Sequence, residues 1–474
     1  MLSPDEYRTL LTDSLDSATD SDTTPPNTRT LYTPFLHRQA LDPNVTIVLG
    51  GRGVGKTVWF QALQDPDLRR LAVHRYQLPI LDKVDASPAF GTSIRREYPS
   101  QRRLQNLITR FSAEDIWTAV ALHGFGASGI LAIPDWDERV RWVSENPGDV
   151  EDSLLEIDEA AGAAGRIRLL LFDAMDRLNS DRGIADELTN GAMRLALTLR
   201  TSTRNLRAKI FIREDMFESA GSNFPDASKL TNNKVDLRWD PESLYSLLFH
   251  QMASSESDLA SSFAIEADWA PGKAGTRAEL ERALGLVASE HMGTNHRKGL
   301  TYTWIPNHLA DGRGQVSPRS FLSALNEANM QSRAAHSAHT KALHWDAIRS
   351  GVQKASSIRV LEVGEDTPWV TSALQPLRGQ QVPIELDQVI SLWEDADLHV
   401  ALEEQSHATA DLPEDDETAS VPTGPTSTSY AALIDNLKDF GMFTTRADGR
   451  LDLPDVYRIA FGVGRRGGVP LLKN

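Results

Sequence analysis

The chain contains no cysteine in 474 residues. That excludes disulfides and thiolate metal sites, and it fits a reducing cytosol. No stretch approaches the roughly 18 consecutive apolar residues of a membrane-spanning helix. The N-terminus carries Asp5 and Glu6 early and has no apolar core of signal-peptide length. These absences lead us to expect a soluble, cytoplasmic protein with no membrane contact. Positive charge is scarce as well: 49 Lys and Arg stand against 66 Asp and Glu, a net charge of −17. The molecule as a whole repels nucleic acid and acidic lipid, so such contacts need a local basic patch. No internal repeat is present. With 40% hydrophobic residues, the chain is long enough for a sizeable core and for two or three domains.

What is present is organised around Val45, Thr46, Ile47, Val48 and Leu49, an apolar strand that runs into Gly50-Gly51-Arg52-Gly53-Val54-Gly55-Lys56-Thr57. This is the pattern G-x-x-x-x-G-K-S/T with a helix-compatible segment (Val58, Trp59, Phe60, Leu63) behind it. It reads as a phosphate-binding loop. Gly50, Gly51, Gly53 and Gly55 permit backbone conformations closed to other residues, so successive N–H groups point at phosphates. The helix opening at Gly55 to Thr57 adds its unpaired N–H groups and the positive end of its dipole. Lys56 is placed to reach the β- and γ-phosphates, and the Thr57 hydroxyl to hold Mg²⁺. The alternative is a glycine-rich turn that binds nothing.

A second apolar run, Ile167 to Phe172, ends in Asp173. A central parallel strand delivers such an acid beside the phosphate site, where it anchors Mg²⁺ through water; a helix cap is the competing explanation. A third short strand, Lys209 to Ile212, ends at Arg213, which faces either the γ-phosphate or its neighbours Glu214 and Asp215. Strand, helix and strand with ligands at the strand ends predict a doubly wound α/β layout.

Elsewhere we expect a mobile tail over 1–28 after a short helix, an α/β core over 29–240 with an insertion at about 71–165, a helical lid over 241–355, and a C-terminal region over 356–474. Within the insertion, 74–81 reads as a strand, 101–123 as one helix and 124–150 as loop, broken by Gly126, Gly129, Pro134 and Pro147, with a basic face from Arg95, Arg96, Arg102, Arg103 and Arg110. In the lid, 253–275 reads as a polar loop. Ser317 caps a helix with Pro318 in its first turn, which fixes Arg319 at the helix start. An acidic connector is expected over about 403–429, then a helix, a hairpin turning at Asp448-Gly449, and a second helix. Helix and wing suggest a winged-helix-like module, structural or oligomerising rather than DNA-binding, although Arg465, Arg466 and Lys473 leave nucleic-acid contact open. Asn233-Lys234-Val235-Asp236 matches the guanine-reading pattern N-K-x-D without the apolar strand that should precede it, so adenine is favoured. His336, His339 and His344 fall on or near one helix face but have no carboxylate or further ligand at helical spacing, and we read them as exposed histidines in preference to a metal site.

With these parts in place the chain resembles a P-loop ATPase of the AAA+/STAND superfamily (ASCE-type), similar to switch ATPases of bacterial antiphage and regulatory systems. The resemblance covers residues 32–330. It implies that Gly50, Gly55, Lys56 and Thr57 are the Walker A residues, that Asp173 ends the Walker B strand, that Arg213 sits at a sensor-like place, and that Arg319 is the lid-domain sensor arginine. It also implies ATP and Mg²⁺ as cofactors, a homo-oligomer or protein partner, and a helical lid followed by a winged helix. Ala174 departs from the pattern, because relatives carry an acid there to activate water; Asp176 is the next acid along the chain. A slow Mg²⁺-dependent ATPase acting as a switch or assembly subunit is therefore expected, against a nucleotide-bound scaffold without turnover, a DNA-binding regulator, or a small-molecule kinase.

Overall fold

The computed structural model describes residues 1–19, 25–179, 181–220, 227–408, 424–425 and 429–471. Helix α1 (Pro4–Thr19) precedes strand β1 (Ile47–Leu49), which feeds α2 (Lys56–Gln64) and α3 (Pro66–Tyr76). Strand β2 (Val84–Phe90) is followed by α4 (Gln101–Ile108), α5 (Ala113–Phe125), α6 (Ser128–Leu131), α7 (Trp136–Glu145) and α8 (Pro147–Ala163). Then come β3 (Ile167–Phe172), α9 (Arg182–Ser202), β4 (Leu206–Ile212), α10 (Glu214–Ser219), α11 (Ala227–Thr231) and β5 (Lys234–Asp236).

These strands form one parallel sheet in the order β2-β3-β4-β1-β5. The central strands are unbroken apolar runs because helices cover both faces. Ile47, Leu170, Phe172 and Ile210 face a core shared with α5 and α9. Val48, Leu169, Leu171 and Phe211 face the opposite core with α2 and α3. The result is the expected doubly wound α/β fold. Because β4 lies between β1 and β3 and all three run the same way, Leu49, Phe172 and Ile212 end at one edge of the sheet.

Several expectations for the insertion are corrected. Residues 74–81 are not a strand: they finish α3, whose start is fixed by Asp65 as cap and Pro66 in the first turn, and enter a 3-10 turn at Pro79–Lys83. The strand is β2, an edge strand whose Asp85, Ser87 and Pro88 hide it from any search for apolar runs. The single helix expected over 101–123 is two, because Ser112 accepts from the Asp115 N–H and starts α5 afresh. The loop expected over 124–150 holds α6, α7 and the start of α8. Pro147, read as a breaker, sits in the first turn of α8, where its missing N–H costs nothing.

The segment expected as a lid is a bundle of α12 (Pro241–Ser254), α13 (Asp258–Ala267), α14 (Arg277–Val287), α15 (Thr301–Leu309), α16 (Pro318–Ala335) and α17 (Trp345–Asp366). In place of a mobile N-terminal tail, α1 packs into this bundle with Leu10, Leu11 and Leu15 fully buried. Arg8, also buried, donates to the carbonyls of His336, Ser337, Lys341 and Ala342. Residues 20–24 of that tail lie outside the described residues. The polar loop expected over 253–275 contains α13, which seats Phe263 in the lid core.

The last elements are α18 (Pro368–Leu374), β6 (Gln381–Val382), α19 (Leu386–Asp395), α20 (Leu398–Ala408), α21 (Tyr430–Asp439), β7 (Thr444–Thr445), β8 (Leu451–Asp452), α22 (Asp455–Phe461) and β9 (Gly464–Arg465). They share a core around Trp369, Trp393, Leu437 and Leu453. Strands β7 and β8 form the expected antiparallel hairpin, and Ile384 bridges to Leu451 of β8. The boundary expected at 356 falls inside α17. Helix α20 occupies the beginning of the expected acidic connector; residues 409–423 and 426–428 of it lie outside the described residues.

Candidate functional site

The loop after β1 turns through Gly53 (φ 76°) and Gly55 (φ 104°), left-handed conformations that favour glycine. Gly50 and Gly51 adopt none. At Gly50 the requirement is space, since a Cβ would lie 2.6 Å from Val54 Cγ2. Lys56, first residue of α2, donates its ammonium to the carbonyls of Gly50 (2.7 Å) and Gly51 (2.8 Å), so it lies across the loop. Burial lowers its pKa, while Asp173 and Asp176 oppose that shift.

Asp173 follows β3 and is buried. Burial pushes its carboxyl up to about 6, against the Thr57 hydroxyl that donates to it and the charge of Lys56. Its Oδ2 has no hydrogen-bond partner among the described residues. The next residue, Ala174, is left-handed (φ 55°, ψ 40°), a conformation that costs a non-glycine residue about 1–2 kcal/mol. Asp176 lies within the 3-10 turn Met175–Arg177 and lines the same cleft. It is not the cap of the following helix; Asp181 fills that role by accepting from the Ile184 N–H at 2.9 Å.

Arg213 at the end of β4 is 7% exposed and paired with both Asp215 (2.5 Å) and Asp366 (2.6 Å). It lines the cleft, and its pair with Asp215, the neighbour weighed against the γ-phosphate, is buried and not at the surface. The start of α16 sits directly on the phosphate loop. A Cβ at Gly53 would come within 2.8 Å of both Arg319 Cβ and Ser317 Oγ. Ser317 makes no side-chain cap to α16; its hydroxyl donates instead to the Gly53 carbonyl at 3.3 Å. Arg319 pairs with Glu362 (3.3 Å), and Arg52 with Glu365 (2.6 Å) and Asp366 (3.4 Å). Sequence reasoning found the arginines and missed their carboxylates, which lie far along the chain at the end of α17.

These groups line one end of a cleft of about 1040 Å³. Pro25, Pro26, Tyr32, Trp239 and Leu247 line the other. Trp239 donates its indole N–H to the Val54 carbonyl at 2.9 Å, tying this apolar end to the phosphate loop. His37, fully buried, accepts from the Trp59 indole at Nδ1 (2.9 Å) and donates from Nε2 to the Arg238 carbonyl (3.1 Å). Burial holds its pKa down to about 3, so the ring is neutral.

No family model and no curated protein matches the chain. Among solved structures it is similar to the ORC2 protein of Aeropyrum pernix in ADPNP–ADP complexes, at 14% identity, 93% of each chain and a TM-score of 0.32. The ADP form of that protein gives 13% identity, the same coverage and a TM-score of 0.35. Cdc6p from Pyrobaculum aerophilum gives 11% identity over 93% of this chain and 94% of that one, with a TM-score of 0.31. At TM-scores this low the likeness assigns neither an activity nor a partner to this chain.

Other motifs fall away from the cleft. Asn233 accepts from the Thr46 N–H (2.6 Å) at the amino end of β1, and Lys234–Asp236 is the edge strand β5, so Asn233 and Lys234 stand at the amino end of the sheet and only Asp236 reaches the level of Leu49. His336 and His344 are not on one helix face. They end α16 and begin α17, with rings stacked at 3.8 Å, and among the described residues no group of His, Asp and Glu suits a metal ion. In the insertion Arg103 pairs with Asp135 and Arg110 with Asp137. Arg465, a candidate for DNA contact, is held by Asp452 (2.5 Å) and Asp455 (2.9 Å). Lys473 lies outside the described residues.

Proposed function

We propose that the cleft binds Mg·ATP and that the chain is a slow ATPase of the AAA+ type, working as a switch or assembly subunit. The observation that carries this is Asp173: a buried carboxylate beside the Thr57 hydroxyl, with its Oδ2 lacking any partner among the described residues. Such an atom is costly to bury unless a cation completes it. Thr57 and Asp173 would hold Mg²⁺, which when bound neutralises charge on the β- and γ-phosphates. The N–H groups of residues 51–57 and the amino end of α2 receive the phosphates. Lys56 would exchange the Gly50 and Gly51 carbonyls for phosphate oxygens. Tyr32 and Trp239 offer faces to the base, and the misplaced N-K-x-D pattern favours adenine.

Slow turnover follows from Ala174, which has no group to orient water. Asp176 is the in-chain candidate, and a neighbouring subunit would supply a further arginine. Phosphate release across a protein dilution series tests this. We expect low activity at monomeric concentrations and a rise on association; high specific activity that stays constant on dilution contradicts it, and Asp176→Asn with full activity excludes Asp176. We read the C-terminal region as winged-helix-like, with a protein partner or another subunit in preference to DNA, because the exposed residues of α21 include Asp435 and Asp439.

A further inference from the structure

The last turn of α17 carries Glu362, Glu365 and Asp366, spaced to share one helix face. Those carboxylates hold three arginines that line the cleft: Arg319 by Glu362, Arg52 by Glu365 and Asp366, and Arg213 by Asp366. Arg359 closes the set on Glu362 at 3.2 Å. The placement runs against the helices' own preferences. Acids at a helix C-terminus face the negative end of the dipole, and Arg319 in the first turn of α16 faces the positive end. Each is tolerated because it meets the other charge. Asp366 also lines the phosphate end of the cleft, beside Asp176 and Arg213.

We propose that this acidic turn is an internal latch: its carboxylates occupy the arginines that the terminal phosphate of ATP requires, so ATP and the end of α17 compete for the same cations. The inference rests on the nucleotide-binding reading above. ADP lacks the γ-phosphate and competes weakly. Helix α17 packs along α16 and α22 and passes through Thr367 directly into α18. Release of its last turn therefore reaches the C-terminal region without any further device, and the latch couples the third phosphate to the position of that region.

The test uses the full chain and calorimetric titration with Mg·ATP and Mg·ADP, in the parent and in Glu365→Gln and Asp366→Asn, each with and without Lys56→Ala. Glu365 is largely exposed, so its replacement spares the fold. We expect each acid variant to bind ATP at least about fivefold more tightly, the low end of ordinary coupling, with ADP changed by about twofold or less. ATP affinity that depends on Lys56 but is unchanged in both acid variants leaves nucleotide binding standing and overturns the latch. Weaker ATP binding in Asp366→Asn also overturns it, because Asp366 would then be a nucleotide-holding or water-orienting group. No binding in any protein overturns both proposals. Spin labels give a second readout, and the chain's lack of cysteine makes them specific. With labels at the exposed positions Leu361→Cys and Ile94→Cys, Mg·ATP should shift the distance distribution and Asp366→Asn should shift it without nucleotide. An identical distribution in all cases contradicts the latch.

Discussion

Asp173 holds its proton to about pH 6, where an ordinary aspartate has lost it near 3.8. Cation binding requires the carboxylate, so below pH 6 each bound Mg²⁺ must displace a proton. Mg·ATP affinity should fall about tenfold for each pH unit below 6 and level off above it. Titrations at pH 5, 6 and 7.5 check this, and a flat profile would mean Asp173 does not meet the metal. Lys209 gives a second pH signature, this time in stability. It is fully buried in β4, donates to the carbonyls of Asp42 (2.9 Å) and Val45 (2.6 Å), and burial lowers its pKa to about 7 from 10.5. Between those values the unfolded chain binds the extra proton, so this group's contribution to stability rises from pH 7 towards 10. Lys209→Met should flatten that rise in thermal melts at pH 7 and 9; an unchanged slope would show that Lys209 is not its source.

Among the elements, the ones legible in sequence were those buried on both faces. Strands β1, β3 and β4 announce themselves as apolar runs, and β1 and β3 lead into residues that line the cleft. The edge strand β2 could not be seen, because Asp85 pairs with Arg166, Ser87 donates to the Gly124 carbonyl and an unpaired edge admits Pro88. Helix starts at Pro147 and caps such as Ser112 were mistaken for breaks or passed over, since proline and serine mark beginnings as well as ends. The latch was invisible for another reason: nothing local in Glu362, Glu365 or Asp366 says which distant arginines they meet. Contact between α16 and α17 can be tested by itself. A Cβ at Gly351 would stand 2.0 Å from the Ala324 carbonyl oxygen. Helix propensity alone makes Gly351→Ala stabilising by about 1 kcal/mol, whereas this contact makes it destabilising by about 2 kcal/mol. Denaturant unfolding decides by the sign.

Across the whole molecule, the core of the α12–α17 bundle and the two faces of the sheet contribute residues to one cleft. The glycine-rich loop meets the start of α16, its arginines meet the end of α17, and α17 leads into α18. Everything rests on the cleft taking a nucleotide through Lys56. The most direct measurement is the melting temperature of the parent and of Lys56→Ala with and without saturating Mg·ATP. A ligand at about a hundred times its dissociation constant stabilises by about 2.7 kcal/mol, so the parent should melt several degrees higher with Mg·ATP and Lys56→Ala should lose most of that rise. An equal rise in both proteins, or none in the parent at millimolar nucleotide, would contradict nucleotide binding through Lys56.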